Sequence, residues 1–91
     1  MPMPVLKPLQ DGSYFSVLCS VNKGSLPLFF QWSKNNQVVS QTNVKIVSLG
    51  ERNSQLIIEK VSASDSGNYT CSVRNAIASD AYTFALIVKG K

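Results

Sequence analysis

Asp65-Ser66-Gly67-Asn68-Tyr69-Thr70-Cys71 sets an acid, a glycine, a tyrosine and a cysteine at alternate positions. Alternation is the period of a β-strand, whose successive side chains point to opposite faces. Tyr69 and Cys71 therefore share one face, and Asn68 and Thr70 share the other. Working outward, Cys19 lies 52 positions before Cys71, and the single tryptophan, Trp32, lies 13 positions after Cys19. Around these residues short β-type runs recur with turn signals between them, and no segment sustains a 3.6-residue period. The expected fold class is all-β, two antiparallel sheets packed as a sandwich. The 91 residues make one domain, 1–91.

Cys19, Trp32, Tyr69 and Cys71 at these spacings resemble the immunoglobulin family. The resemblance implies an inter-sheet disulfide Cys19–Cys71, Trp32 buried against it, and a Tyr69 hydroxyl that fixes the corner entering its strand. All four are then fold residues. A bridge closing a loop of about 50 residues contributes roughly 4 kcal/mol in the chain-entropy treatment, a useful staple for so short a chain. It persists only in an oxidising compartment, so the reading is extracellular. Free thiols would instead indicate a cytosolic sandwich of the muscle-filament type.

Composition narrows the function classes. The net charge is +4, and the nine basic residues are scattered with no cluster of three. A nucleic-acid binder would concentrate them on a stripe with interleaved aromatics. There is no histidine, and two paired cysteines leave no soft metal ligands. Five dispersed acids suggest no general acid–base pair, and no phosphate loop or nucleophile motif appears. An enzyme, a metal, a cofactor, a nucleic acid and a small-molecule substrate are all excluded as readings. No apolar run is long enough to span a bilayer. Met1-Pro2-Met3 reads as an engineered start, and the whole as one domain cut from a longer, membrane-anchored protein.

A pass along the chain gives the strands. Pro4 to Pro8 is an edge strand at best, because prolines remove ladder donors. Strand B spans 14–22 with Phe15, Val17, Cys19 and Val21 inward. Strand C spans 28–34 with Leu28, Phe30 and Trp32 inward. Asn35-Asn36 is a turn, since asparagine tolerates the left-handed region, and a short C′ strand follows at 37–39. Strand D, 43–48, is read with Val44 and Ile46 inward and Lys45 and Val47 outward. Strand E, 54–60, carries Leu56 and Ile58 inward, and Val61 continues the core. Residues 62–65 form a helical turn. Strand F, 67–75, buries Tyr69, Cys71 and Val73, and strand G, 80–88, buries Tyr82, Phe84, Leu86 and Val88. Asp65 is expected to pair with Lys45 across the bottom of the sandwich.

Two surfaces and one motif remain. A solvated sheet face should be polar, yet Leu18, Ile57 and Val47 project outward from strands B, E and D. With Lys45, Gln55 and Glu59 around them they read as a small interface with a polar rim. The rival surface is the C-F-G sheet, where Phe29 is the large exposed apolar group. Asn68-Tyr69-Thr70 fits the N-x-[ST] glycosylation sequon, with Asn68 outward.

Cys19, Trp32, Leu56-x-Ile58-x-x-Val61, Asp65-x-Gly67-x-Tyr69-x-Cys71 and Val73-x-Asn75-Ala76 resemble the I-set branch of the immunoglobulin family over nearly the whole chain. The runs 27–35, 54–61 and 65–71 resemble more narrowly the variable seventh domain of arthropod Dscam and the first domain of the shortened Dscams of chelicerates. The resemblance implies isoform-specific homophilic recognition at the cell surface. The domain would pair antiparallel with an identical copy in trans through the A-B-E-D sheet. Carried over by position, the interface residues are Leu18, Lys45, Val47, Gln55, Ile57 and Glu59. The alternative is a heterophilic ligand-binding domain of a receptor or secreted immune protein. Two departures from the family stand out. The lead-in predicts a truncated A′ strand, and Asn75 to Ser79 lacks the usual turn glycine, which implies either a wider turn or Asn75 in the left-handed region.

Overall fold

The computed structural model describes residues 7–39 and 44–89. Strand β1 (Leu9–Gln10) pairs in parallel with β9 (Val88–Lys89). Strands β2 (Phe15–Ser20), β6 (Asn53–Ile58) and β5 (Lys45–Val47) form an antiparallel sheet with β6 in the middle. Strands β4 (Gln37–Val38), β3 (Phe29–Lys34), β7 (Gly67–Arg74) and β8 (Ser79–Leu86) form the second antiparallel sheet in that order. In the letters used above, β2, β5 and β6 are strands B, D and E, and β3, β7 and β8 are C, F and G.

The sandwich follows from alternation. Along β6, Ser54, Leu56 and Ile58 are buried while Asn53, Gln55 and Ile57 stay partly exposed. Along β7, Tyr69, Cys71 and Val73 are buried in the same way. Leu56 and Ile58 meet Trp32, Tyr69, Phe84 and Leu86 from the facing sheet in one core. Each such aliphatic side chain stabilises the fold by roughly 1.5–3 kcal/mol through burial. Cys19 and Cys71 are bridged with Cα atoms 6.5 Å apart. Trp32 is the cross-strand partner of Cys71, which holds the indole beside the bridge.

The corner into β7 is set as the sequence implied. A 3-10 turn over Ala63–Asp65 is stabilised by the Ser62 backbone N–H, which donates to Asp65 Oδ2 at 2.8 Å. The Tyr69 hydroxyl donates to the Asp65 carbonyl at 2.5 Å. Burial, reinforced by the Asp65 charge, pushes the Tyr69 phenol up to about 12. Lys34 Nζ donates to the Ser64 carbonyl and lies 5.8 Å from the Tyr69 ring centroid.

Several expectations are corrected. Lys45 Nζ pairs with Glu59 Oε1 at 3.0 Å, so the expected partner Asp65 is replaced by a carboxylate just past the end of the neighbouring β6. Tyr82 has the inward parity of Phe84 and sits opposite Cys71, yet it is 62% exposed. Its flank of the sandwich is open. Among the described residues β2 has no neighbour beyond β6, and a cavity of about 260 Å³ lies between β2 and β8 beside Tyr82. Strand G is interrupted at Ile87, after which β9 turns to take β1 as its partner. Among the described residues other than glycine, the left-handed ones are Asn35 (φ 50°) and Asn36 (φ 69°) at the β3–β4 turn, as expected there, and Asn75 is not among them. Asn75 shapes the β7–β8 turn with its side chain instead: Oδ1 accepts from the backbone N–H groups of Ile77 at 2.9 Å and Ala78 at 2.8 Å. An Asx turn of this kind replaces the missing glycine. Of the lead-in strand read at Pro4 to Pro8, the first three residues lie outside the described residues, and β1 at Leu9–Gln10 is a truncated A′ strand of two residues.

Candidate recognition face

Pairing registers fix where the outward side chains of the B-E-D sheet lie relative to one another. Leu18 is opposite Gln55, and Gln55 is opposite Val47, so the three form one row across the sheet. Ser16, Ile57 and Lys45 form the next row. Directly opposed side chains in such rows touch, and diagonal ones stay within reach of long side chains. Leu18 (52%) and Val47 (37%) are exposed, and Ile57 and Gln55 are half-buried. The strand D register has Lys45 and Val47 outward, with Val44 buried and Ile46 half-buried. Leu18, Lys45, Val47, Gln55 and Ile57 therefore share one surface, and Glu59, just past the end of β6, joins it through its ion pair with Lys45. Its apolar centre is bordered by the exposed Lys45–Glu59 pair. An exposed surface ion pair of this kind contributes little to folding.

The opposite sheet has a different character. Phe29 (50% exposed) is the cross-strand partner of Arg74, whose guanidinium lies 5.0 Å from the ring centroid. This cation–π pair went unread in the sequence. Both residues alternate outward, but only the register of β3 on β7 brings them together. The Thr70 and Thr83 hydroxyls are 3.0 Å apart on the same sheet. Asn68 is exposed near its lower end. The Asn75 amide donates to the Ser25 carbonyl at 3.1 Å, which ties the β7–β8 turn to the loop before β3.

A family model described as immunoglobulin domain matches residues 2–75. The chain is 33% identical over 82 residues to the cell adhesion molecule DSCAML1 of Homo sapiens, an alignment covering 90% of the chain and 4% of that protein. It therefore spans a small part of the length of that relative. The Dscam1 Ig7 domain, isoform 5, superimposes with a TM-score of 0.88 at 27% identity, over 91% of this chain and 86% of that one. The I-band fragment I67–I69 from titin superimposes with a TM-score of 0.85 at 30% identity, over 97% of this chain and 31% of that one. With the bridged sandwich, the buried tryptophan and the tyrosine corner in place, the chain belongs to the immunoglobulin domain family, with similarity to Dscam cell-adhesion molecules.

Proposed function

We propose that this domain is an I-set recognition module of a Dscam-like, membrane-anchored receptor on the extracellular side of the plasma membrane. It binds an identical copy, antiparallel and in trans, through the β2–β6–β5 face, and side chains on that face distinguish one isoform from another. The observation that carries this reading is the row Leu18–Gln55–Val47 beside Ile57 on a sheet face that would otherwise be polar. A two-fold axis lets such a patch meet itself, because every contact is made twice. Affinity between single domains would be modest for a contact of this size. Many copies on apposed membranes supply the rest through avidity. The likeness to the Dscam1 Ig7 domain and to DSCAML1 supports adhesion as the class of function.

Sedimentation equilibrium over a wide concentration range tests the proposal. A dimer that forms with concentration, and that Ile57→Asp abolishes, supports it. A strict monomer at high concentration, or a dimer indifferent to Ile57→Asp, removes this face. The second reading, a heterologous protein partner on the C-F-G sheet, is favoured by the Phe29–Arg74 pair. Arginine and aromatic side chains are enriched at binding hot spots.

A further inference from the structure

Asn68-Tyr69-Thr70 is the single N-x-[ST] sequence in the chain. The fold places it in a telling position. Tyr69 is buried at 1%, so its neighbours on β7 point outward from the C-F-G sheet, and Asn68 is exposed. The hydrogen bonds at Asn68 run through its backbone: its N–H donates to Asn35 Oδ1 at 3.0 Å, and its carbonyl accepts from the Asn35 N–H at 2.8 Å. Among the described residues its carboxamide has no hydrogen-bond partner. Its cross-strand neighbour on β8 is Ala85, a small side chain. The bridged Cys19–Cys71 pair belongs to an oxidising route. The same route carries the enzyme that modifies such sequons.

We infer that Asn68 carries an N-linked oligosaccharide, and that this glycan covers the lower half of the C-F-G sheet. The donor class is an oligosaccharide linked to a lipid pyrophosphate. The Asn68 amide nitrogen forms the bond to sugar C1. The C1–O bond breaks, and the lipid pyrophosphate leaves with its electron pair. The amide proton passes to a base of the transferase. The reaction needs no oxidant or reductant.

The consequence is a division of labour between the two faces. Asn68 lies at the start of β7 and Arg74 at its end, so the glycan sits about 20 Å from the Phe29–Arg74 pair at 3.3 Å per residue. It lies on the sheet opposite Leu18, Ile57 and Val47. A sugar there blocks broad pairing through the C-F-G sheet and leaves the β2–β6–β5 face bare. The modification rests on the extracellular reading alone, and self-association is a separate question.

The test is secretion of the 91-residue chain from a eukaryotic host behind a cleavable leader, followed by intact-mass and peptide analysis. The wild type should carry added mass that peptide-N-glycosidase removes, leaving aspartate at position 68. Asn68→Gln should lack the added mass, and Thr70→Ser, which keeps the sequon and the hydroxyl facing Thr83, should retain it. A secreted, disulfide-bonded wild type of unmodified mass overturns the inference, as does added mass that persists in Asn68→Gln. Sedimentation of the glycosylated wild type against Asn68→Gln then tests the placement. Equal association constants support a glycan remote from the pairing face, and a constant that rises when the glycan is absent overturns that placement. Absence of self-association in both forms would count against the pairing proposal, while the mass result would still decide the modification.

Discussion

Trp32 and Ser54 are joined across the sandwich: the indole Nε1–H donates to the Ser54 hydroxyl at 2.9 Å, with both residues buried. Ser54 is the cross-strand partner of Cys19, and Trp32 is the partner of Cys71. A polar link and a covalent one therefore connect the same two pairs of positions between the sheets. Ser54→Ala leaves the indole N–H buried without an acceptor, which costs about 1–3 kcal/mol. Urea unfolding should show a lower midpoint with an unchanged slope. A loss below about 0.5 kcal/mol would mean that the link contributes nothing beyond packing.

The disulfide spans 52 residues of chain. The Cys19→Ala/Cys71→Ala variant should lose roughly 4 kcal/mol through the freed denatured chain. Because Ser54 and Cys19 are adjacent, the triple variant with Ser54→Ala should depart from the sum of the two losses by more than about 0.5 kcal/mol. Strict additivity would show that the two links act independently.

Much of this core was readable because alternation on β2, β3, β6 and β7 leaves one choice of face once the cysteines and tryptophan point inward. Val44 and Lys45 were placed correctly by the same parity, although β5 is only three residues long. Tyr82 shows where parity stops. It names the face a side chain points to, and whether anything covers that face depends on neighbouring strands. Lys45 shows a second limit: its partner depends on the reach of two flexible side chains, and the one it meets is Glu59, just past the end of the adjacent β6. Asn75 shows a third, since one side chain can supply the hydrogen bonds that a glycine turn obtains from backbone geometry. The six face residues were legible as outward, but the arrangement of Leu18, Gln55, Val47, Ile57 and Lys45 in rows came only with the registers, and the place of Glu59 only with its ion pair.

Tyr69 makes stability depend on pH in the alkaline range. Its phenol is pushed from the ordinary 10.0 up to about 12 by burial and by Asp65. The fold therefore holds the proton more tightly than the unfolded chain does. The corresponding stability is fully present below pH 10 and is lost as pH rises towards 12. The thermal midpoint should be steady in this respect up to about pH 10 and then fall, and the Tyr69→Phe variant should lose that component of the fall. The variant also forfeits the hydroxyl's hydrogen bond to the Asp65 carbonyl, at about 1–3 kcal/mol, at neutral pH. An identical alkaline profile in both proteins would show that other groups set it.

The two sheet faces can be told apart by matched charge substitutions. Leu18 and Phe29 are exposed to nearly the same degree, 52% and 50%, on opposite sheets. Placing aspartate at either should change folding stability by less than about 1 kcal/mol, the usual range for surface sites. Leu18→Asp should nevertheless eliminate self-association in sedimentation, while Phe29→Asp should leave it intact. The reverse result would transfer the pairing to the C-F-G sheet and favour the Phe29–Arg74 pair as its centre.

The Lys45–Glu59 pair gives the sharpest test of recognition between identical faces. Both side chains are nearly two-thirds exposed, at 63% and 64%, so the 3.0 Å pair adds about 0–1 kcal/mol to the isolated fold. Buried at a contact between two copies, the same charges decide which faces are compatible, since like charges brought together are penalised. Lys45→Glu makes this rim wholly acidic, and Glu59→Lys makes it wholly basic. Each variant should pair with itself at least tenfold more weakly than the wild type, a change of about 1.4 kcal/mol. Mixed in equal amounts, the two should form a heterodimer in preference to either homodimer, and the preference should weaken as salt rises. Fluorescence-detected sedimentation with one variant labelled reads this directly. Equal self-association of wild type and both variants, with no preference in the mixture, would take the ion pair out of the recognition surface and leave Leu18, Ile57 and Val47 to define it alone.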